Sequence, residues 1–121
     1  MFRFPAFCLA VFLPTVAAAQ DCKPIRFAPG DDGAFIDDVL PPKVPDGSGG
    51  PRCYSLDVRK GQRISVEVVG GDENVAVSVI DVGDARRSFD FVAPSSRVEF
   101  VVFQLFPSPE EADYSLLVKA F

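Results

Sequence analysis

Apolar and polar residues alternate with a period of two along most of the chain after residue 20. The clearest examples are residues 54–58, "YSLDV", and residues 64–68, "ISVEV". Successive side chains of a β-strand point to opposite faces of the sheet, so this alternation predicts strands with one buried face. No window of ten or more residues keeps a helical period without a glycine or a proline inside it. The pattern therefore predicts an all-β fold.

Turn residues separate these apolar segments every eight to twelve positions, which is typical of a β-sandwich or a barrel. We predict a single antiparallel β-sandwich of about eight strands and of jelly-roll type. The predicted strands are residues 25–27, 34–40, 54–58, 64–68, 75–80, 87–92, 98–105 and 114–118. The segment 41–51, "PPKVPDGSGGP", has no apolar period and is predicted to be a loop.

The pattern also predicts how some strands are placed. The residues "RKGQ", 59–62, join the two clearest strands, and we predict that these strands form a β-hairpin. The strand 34–40 carries Asp37 and Asp38 on opposite faces and is predicted to lie at a sheet edge, whereas the apolar run 75–80 is predicted inside a sheet. The apolar faces together predict one core. Its predicted members are Tyr54, Leu56, Ile64, Val66, Val68, Phe100, Val102, Tyr114 and Leu116.

Residues 1–19 have the three parts of a secretory signal peptide. Arg3 gives the positive start, residues 6–12 form a short apolar run, and residues 17–19, "AAA", provide small side chains for cleavage after Ala19. A permanent membrane span needs about 20 apolar residues, so we expect a cleaved leader and no stable membrane anchor. The alternative is an uncleaved N-terminal anchor. The predicted domain is then residues 20–121, located in the periplasm or outside the cell.

The cysteines are consistent with export. Cys8 leaves with the predicted leader, and Cys22 and Cys53 remain as one possible pair in an oxidising compartment. A disulfide between them would stabilise the fold by roughly 3–4 kcal/mol. The alternative is two free thiols, for which the adjacent Lys23 and Arg52 would favour a thiolate.

Composition removes several classes of function. The chain contains no histidine, which excludes catalysis by a Ser-His-Asp or Cys-His pair and most zinc sites. Lys and Arg number 12 against 17 Asp and Glu, so the net charge is −5, and it becomes −6 when Arg3 leaves. An acidic chain without basic clusters is a poor ligand for nucleic acid. We therefore predict a protein that is not an enzyme, has no cofactor and does not bind nucleic acid.

Four pairs of adjacent acidic residues are the remaining candidates for chemistry. They are Asp31-Asp32, Asp37-Asp38, Asp72-Glu73 and Glu110-Glu111. Calcium needs six to eight oxygen ligands in a shaped loop, and "PGDDGAFIDD" lacks the acid spacing of an EF-hand. We interpret the pairs as solvated turns and edge residues, and calcium binding remains the alternative.

The segment "CYSLDVRKGQRISVEVVGGDENVAVSVID" resembles the bacterial pre-peptidase C-terminal domain. It has an aromatic strand, a basic-Gly-Gln turn, an alternating Val/Ile strand, and a Gly-Gly-Asp turn before an apolar strand. The later segments "FDFVAPSSRVEFVVF" and "DYSLLV" are similar to the second half of that family's pattern. The resemblance covers residues 53–118 and implies a β-sandwich.

The chain more closely resembles the stand-alone periplasmic inhibitors of g-type lysozyme. The opening "IRFAPGDDGAFIDDVL" is similar to their first two strands, which extends the resemblance to almost all of residues 20–121. The resemblance implies a protein inhibitor that inserts loops into a lysozyme cleft. Two segments depart from that family. Residues 35–37 are Phe-Ile-Asp where the family has Tyr-Ser-Gly, and the loop before the last strand is the acidic "PSPEEAD".

Two classes of function follow from these features. One is a non-enzymatic binding protein whose partner is a lysozyme-like enzyme. The predicted partner-binding residues are Phe35, Asp37, Asp38, Glu110 and Glu111. The alternative is a structural or accessory module of the cell envelope with no enzyme target. An inhibitor is expected to hold several rigid loops together at one end of the sandwich. The sequence makes no prediction of the oligomeric state.

Overall fold

A computed structural model describes residues 21–45 and 50–121 as two packed β-sheets, which confirms the all-β sandwich. The predicted signal peptide, residues 1–19, lies outside the described residues. The described residues form nine strands rather than eight. They are β1 (Lys23–Pro24), β2 (Gly33–Leu40), β3 (Arg52–Asp57), β4 (Arg63–Gly71), β5 (Val75–Val79), β6 (Gly83–Arg86), β7 (Ser88–Val92), β8 (Arg97–Gln104) and β9 (Ala112–Ala120). In this part of the chain, no helix has the length and apolar character to cross a membrane.

The two sheets have five and four strands, in the orders β1-β3-β8-β5-β6 and β2-β9-β4-β7. β2 is an edge strand and β5 lies inside its sheet, as predicted. All neighbouring strands are antiparallel except β1 and β3, which are parallel, so the prediction of a wholly antiparallel sandwich is wrong at this edge. The predicted first strand, residues 25–27, is also misplaced, because Ile25 and Phe27 instead pack against the core from outside any strand.

The predicted hairpin between β3 and β4 does not form. β3 pairs with β8 in one sheet, and β4 pairs with β7 and β9 in the other. Residues 59–62 therefore carry the chain from one sheet to the other. The alternation is the same in both arrangements, because strands that face each other across the core also bury one face each.

A single hydrophobic core lies between the sheets, and all nine predicted core residues belong to it. Within it the hydroxyl groups of Tyr54 and Tyr114 share a hydrogen bond of 2.6 Å. Burial raises the pKa of both tyrosines above the usual value, so both hydroxyls stay neutral at pH 7. One tyrosine hydroxyl donates and the other accepts, so each of the two buried oxygen atoms has a hydrogen-bond partner.

The predicted disulfide is confirmed. Cys22 and Cys53 are bonded, 31 residues apart in sequence and with 4.5 Å between their Cα atoms. The bond joins the residue before β1 to the second residue of β3, next to the short parallel pairing of these strands. The alternative of two free thiols is thereby wrong.

The strand registers define two ends of the sandwich. β2, β4 and β8 finish at one end, and β3, β5 and β9 begin there. We call it the loop end. Three connections meet at it: residues 41–51, 72–74 and 105–111, of which residues 46–49 are not described.

Candidate functional site

A buried amide links the three connections of the loop end. Gln104 is the last residue of β8, occupies the core-facing register of that strand and is only 4% exposed. Its Nε2 donates hydrogen bonds to the carbonyl oxygens of Pro41, at 3.0 Å, and Glu110, at 3.1 Å. Its Oε1 accepts one from Nδ2 of Asn74, at 2.9 Å. One side chain therefore bonds to residues of all three connections.

Further hydrogen bonds fix the connections to one another. Asn74 donates from Nδ2 to the carbonyl oxygen of Phe106 and accepts at Oδ1 from the Phe106 N–H, at 2.9 and 3.0 Å. Lys43 and Ser108 exchange two backbone hydrogen bonds of 2.9 and 3.0 Å. Backbone held in this way opens less readily than a free loop. These hydrogen bonds therefore link the described residues of the three connections at one end of the sandwich.

The surface that these connections present combines an aromatic ring with carboxylates. Phe106 is 66% exposed, and Leu105, Glu73, Glu110 and Glu111 are exposed residues of the 72–74 and 105–111 connections. We call these five residues the loop-end surface. Among the described residues, none of its carboxylates forms a salt bridge.

Two cations at the loop end, Lys43 and Arg87, donate hydrogen bonds to backbone carbonyl groups. Nζ of Lys43 donates to the carbonyl oxygens of Gln104, at 3.0 Å, and Leu105, at 3.4 Å. Nη1 of Arg87 donates to the carbonyl oxygen of Val75 at 2.9 Å, and to those of the 72–74 turn. These contacts fix the turns and leave the carboxylates of the loop-end surface free to meet a basic partner.

The five predicted binding residues do not form one site. Glu110 and Glu111 belong to the loop-end surface, whereas Phe35 and Asp37 lie on the outer face of β2. Phe35 is 67% exposed and precedes the last residue of β2 by five positions, about 17 Å from the loop end. Ser115 Oγ donates a hydrogen bond to Asp37.

Asp38 is placed differently from the other four predicted residues. It faces inward, with its Oδ2 3.8 Å from Nε of Arg52, and its Oδ1 accepts a hydrogen bond from the Val39 N–H. Arg52 belongs to β3, so this ion pair joins the two sheets at their shared side. Asp38 therefore has a structural partner within the chain.

The acidic pairs do not converge on a common centre. Within residues 21–45 and 50–121, no group of three or more Cys, Asp or Glu side chains is placed to hold a metal ion. Asp72-Glu73 and Glu110-Glu111 lie at the loop end, whereas Asp31-Asp32 precedes β2 at the opposite end. The chemistry that the described surface supports best is binding through hydrophobic and charged contacts.

Two important residues of the loop end, Gln104 and Phe106, were not among the predicted site residues. Gln104 has a signal in the sequence, because it continues the core-facing series Val98, Phe100 and Val102 at spacing two. A polar residue in that register indicates a buried group with hydrogen-bond partners. Phe106 lies at the edge of the loop after β8, a position that is consistent with an exposed apolar patch for a partner, but an apolar residue after an apolar run is equally consistent with burial.

In fold, the chain is similar to solved structures of periplasmic inhibitors of g-type lysozyme. PliG of Aeromonas hydrophila has a TM-score of 0.68 and 22% sequence identity, over 83% of this chain and 96% of that one. PliG of Salmonella Typhimurium has a TM-score of 0.61 and 17% identity, over 85% of this chain and 100% of that one. A PliG mutant from Escherichia coli has a TM-score of 0.61 and 15% identity, with the same coverage of 85% and 100%.

These likenesses confirm the resemblance inferred from the sequence motifs at the level of the fold. No family model matches the chain, and no curated protein matches it significantly. Fold alone does not fix function.

Proposed function

We propose that this protein is an exported inhibitor that binds a lysozyme-like enzyme, with g-type lysozyme as the first candidate. The observation that carries the proposal is the loop end, where the buried Gln104 holds three connections together beneath an exposed Phe106. The fold shared with three g-type lysozyme inhibitors supports the choice of partner. Under this proposal the protein is not an enzyme.

The loop-end surface contributes to binding in two ways. Phe106 supplies a large apolar side chain on a backbone that is already ordered, so little conformational entropy is lost when it enters a cleft. Glu110 and Glu111 attract a basic partner over long range and pair with arginine at short range. The net charge of −6 without the leader raises the association rate with such a partner more than it raises affinity.

Replacing Phe106 by alanine is expected to weaken inhibition at least about tenfold, because an exposed aromatic in the centre of an interface often dominates its energy. The melting temperature should change little, since the ring is 66% exposed. A lysis assay with residues 20–121 and g-, c- and i-type lysozymes measures the effect. The matched control is Phe121→Ala, because Phe121 is also exposed but follows β9 at the opposite end.

The same assay separates this proposal from its alternatives. Reversing both charges with Glu110→Lys and Glu111→Lys should slow association most at low salt, whereas Asp57→Lys with Asp84→Lys changes net charge equally and should slow it less. If all three lysozymes remain active at about micromolar concentrations of the protein, the inhibitor proposal fails and the envelope accessory module is favoured. Loss of inhibition with Phe35→Ala but not with Phe106→Ala would move the binding site to β2.

Export is part of the proposal, and the disulfide is the structural feature that supports it. We expect the protein isolated from the periplasm or the medium to begin at Gln20, after cleavage following Ala19. Intact mass measurement tests this expectation. A mass that includes residues 1–19 would contradict it.

A further inference from the structure

Within residues 21–45 and 50–121, no strand pairs with the outer edge of β2. The Val39 N–H donates to Oδ1 of Asp38, and the Val39 carbonyl accepts from Nη2 of Arg52, at 2.8 and 2.9 Å. The backbone groups of Val39 therefore point away from β9. The register between β2 and β9 has no shift, and the direction of these groups alternates along an antiparallel strand. Those of Gly33, Phe35 and Asp37 consequently point to the same free edge.

The open part of this edge has defined limits. At one limit, the N–H and the carbonyl group of Val39 are hydrogen-bonded to the side chains of Asp38 and Arg52. At the other, the chain turns before Gly33, where the Asp31 N–H donates to the Ala28 carbonyl at 2.9 Å. Three alternate residues remain open, and Phe35 is the middle one.

We propose that a second copy of this chain pairs with the free edge, with the two β2 strands antiparallel about a twofold axis at Phe35. This is the antiparallel register that pairs all three open residues of both copies. Each Gly33 then faces the Asp37 of the other copy, and the two Phe35 residues face each other. Two such strands would exchange about six backbone hydrogen bonds.

The charges on the outer face are complementary in this register. Gly33 pairs with Lys119 of β9, and a Cβ at Gly33 would lie 3.3 Å from Cγ of Lys119. The Lys119 side chain thus extends across Gly33, where the Asp37 carboxylate of the second copy arrives. Lys119 forms no salt bridge among the described residues, so it is free to pair. The twofold axis generates a second, identical ion pair, between Asp37 of the first copy and Lys119 of the second.

The apolar surface is also covered in this register. Phe35 is 67% exposed and lies beside its pairing partner Leu117 on the outer face. These two residues, with Arg26 and Asp31, line a groove of about 430 Å³ at the edge. Pairing the two Phe35 rings removes both from water, and aromatic residues opposite each other stabilise paired strands.

The Asp37 carboxylates of the two copies do not oppose this pairing. The two Asp37 carboxylates would belong to residues four positions apart along the paired strands, about 13 Å, so their repulsion is small. Antiparallel pairing also points the two loop ends in opposite directions. Self-association through β2 is therefore a property beyond the proposed inhibition. It leaves the loop end of each copy accessible to a lysozyme.

The test is the molar mass of residues 20–121 in solution, measured by sedimentation equilibrium from about 1 µM to 1 mM. We expect a concentration-dependent dimer, which Phe35→Glu should convert to a monomer with an unchanged melting temperature. Val92→Glu is the matched control, because Val92 is exposed on β7, the opposite edge strand of the same sheet. It should leave the dimer intact.

A charge exchange tests the register. Asp37→Lys and Lys119→Glu should each weaken dimerisation at least about tenfold, and the double variant should recover most of it, whereas residues with only structural roles would not rescue each other. A monomer at about 1 mM, a dimer unaffected by Phe35→Glu, or no rescue in the double variant would overturn the proposal. Inhibition by Phe35→Glu is measured in parallel, so failure of the dimer and failure of the inhibitor function are distinguishable.

Discussion

Replacing Val66 by aspartate is expected to lower the free energy of unfolding by about 3–5 kcal/mol, which is a large part of the total stability of a small domain. Val66 has no exposed surface and lies in β4, between Val118 of β9 and Phe89 of β7. No cation faces this position in the core cluster, so the carboxylate would be buried without a partner. Thermal and urea unfolding of the disulfide-bonded protein measure the effect.

The neighbouring residue provides the control for this variant. Ser65 belongs to the same strand but points to the outer face, where it is paired with Lys119. Ser65→Asp places the carboxylate on the outer face between Lys119 of β9 and Asp90 of β7, whose opposite charges offset each other, so the stability should change by less than about 1 kcal/mol. A Val66→Asp melting temperature within about 2 °C of the parent would contradict the burial of this face of β4.

The alternation of the sequence predicted which face of each strand is buried, but it did not predict which strands are neighbours. Leu56 of β3 and Ile64 of β4 are both buried as predicted, although their strands belong to different sheets. The period of two is a property of one strand and its core. Pairing depends on contacts distant in sequence, such as that of Leu56 with Val98, which no local pattern contains.

The elements missed or misplaced are those without a buried face. β6, Gly83–Arg86, consists mostly of exposed residues. It lies between Asp81 and Arg87, in a segment predicted as a turn. Asp81 and Ala85 have positive φ angles of 68° and 52°, which bend the chain at β6. β1 is only two exposed residues, whereas Ile25 and Phe27 are half-buried without pairing as a strand. Short edge strands are defined by hydrogen bonds, so apolar patterning does not reveal them.

The candidate site was predicted in part. The acidic loop with Glu110 and Glu111 lies at the loop end, but Phe35 and Asp37 lie elsewhere on β2. The sequence does not reveal the distance between these two groups of residues. That distance depends on which end of β2 lies next to the first residue of β9. The register of Leu40 with Ala112 decides it. The hydrogen bonds by which Gln104 links the connections of the loop end likewise depend on the tertiary structure. Only the core-facing register of Gln104 can be inferred from the sequence.

The disulfide connects the weakest element of the fold to a central part of it. β1 contributes two residues, Lys23 and Pro24, and a parallel pairing with β3. Beyond it, Ile25 and Phe27 pack against the core, and the Ile25 N–H donates to the Ser55 carbonyl at 2.8 Å. Without the covalent bond, this segment would be held by few hydrogen bonds, and its detachment would expose part of the core.

Removing the disulfide is therefore expected to lower the free energy of unfolding by about 3–4 kcal/mol, and the melting temperature by roughly 15 °C or more. The bond closes a loop with its ends 31 residues apart, so its loss mainly increases the entropy of the unfolded chain. Calorimetry with and without a reducing agent measures the difference. The double variant Cys22→Ser, Cys53→Ser should have the melting temperature of the reduced protein, and the reducing agent should not change it. Equal melting temperatures for the oxidised protein and for protein with both thiols alkylated would contradict this role, because the segment from Cys22 to Phe27 would then be held by its packing alone.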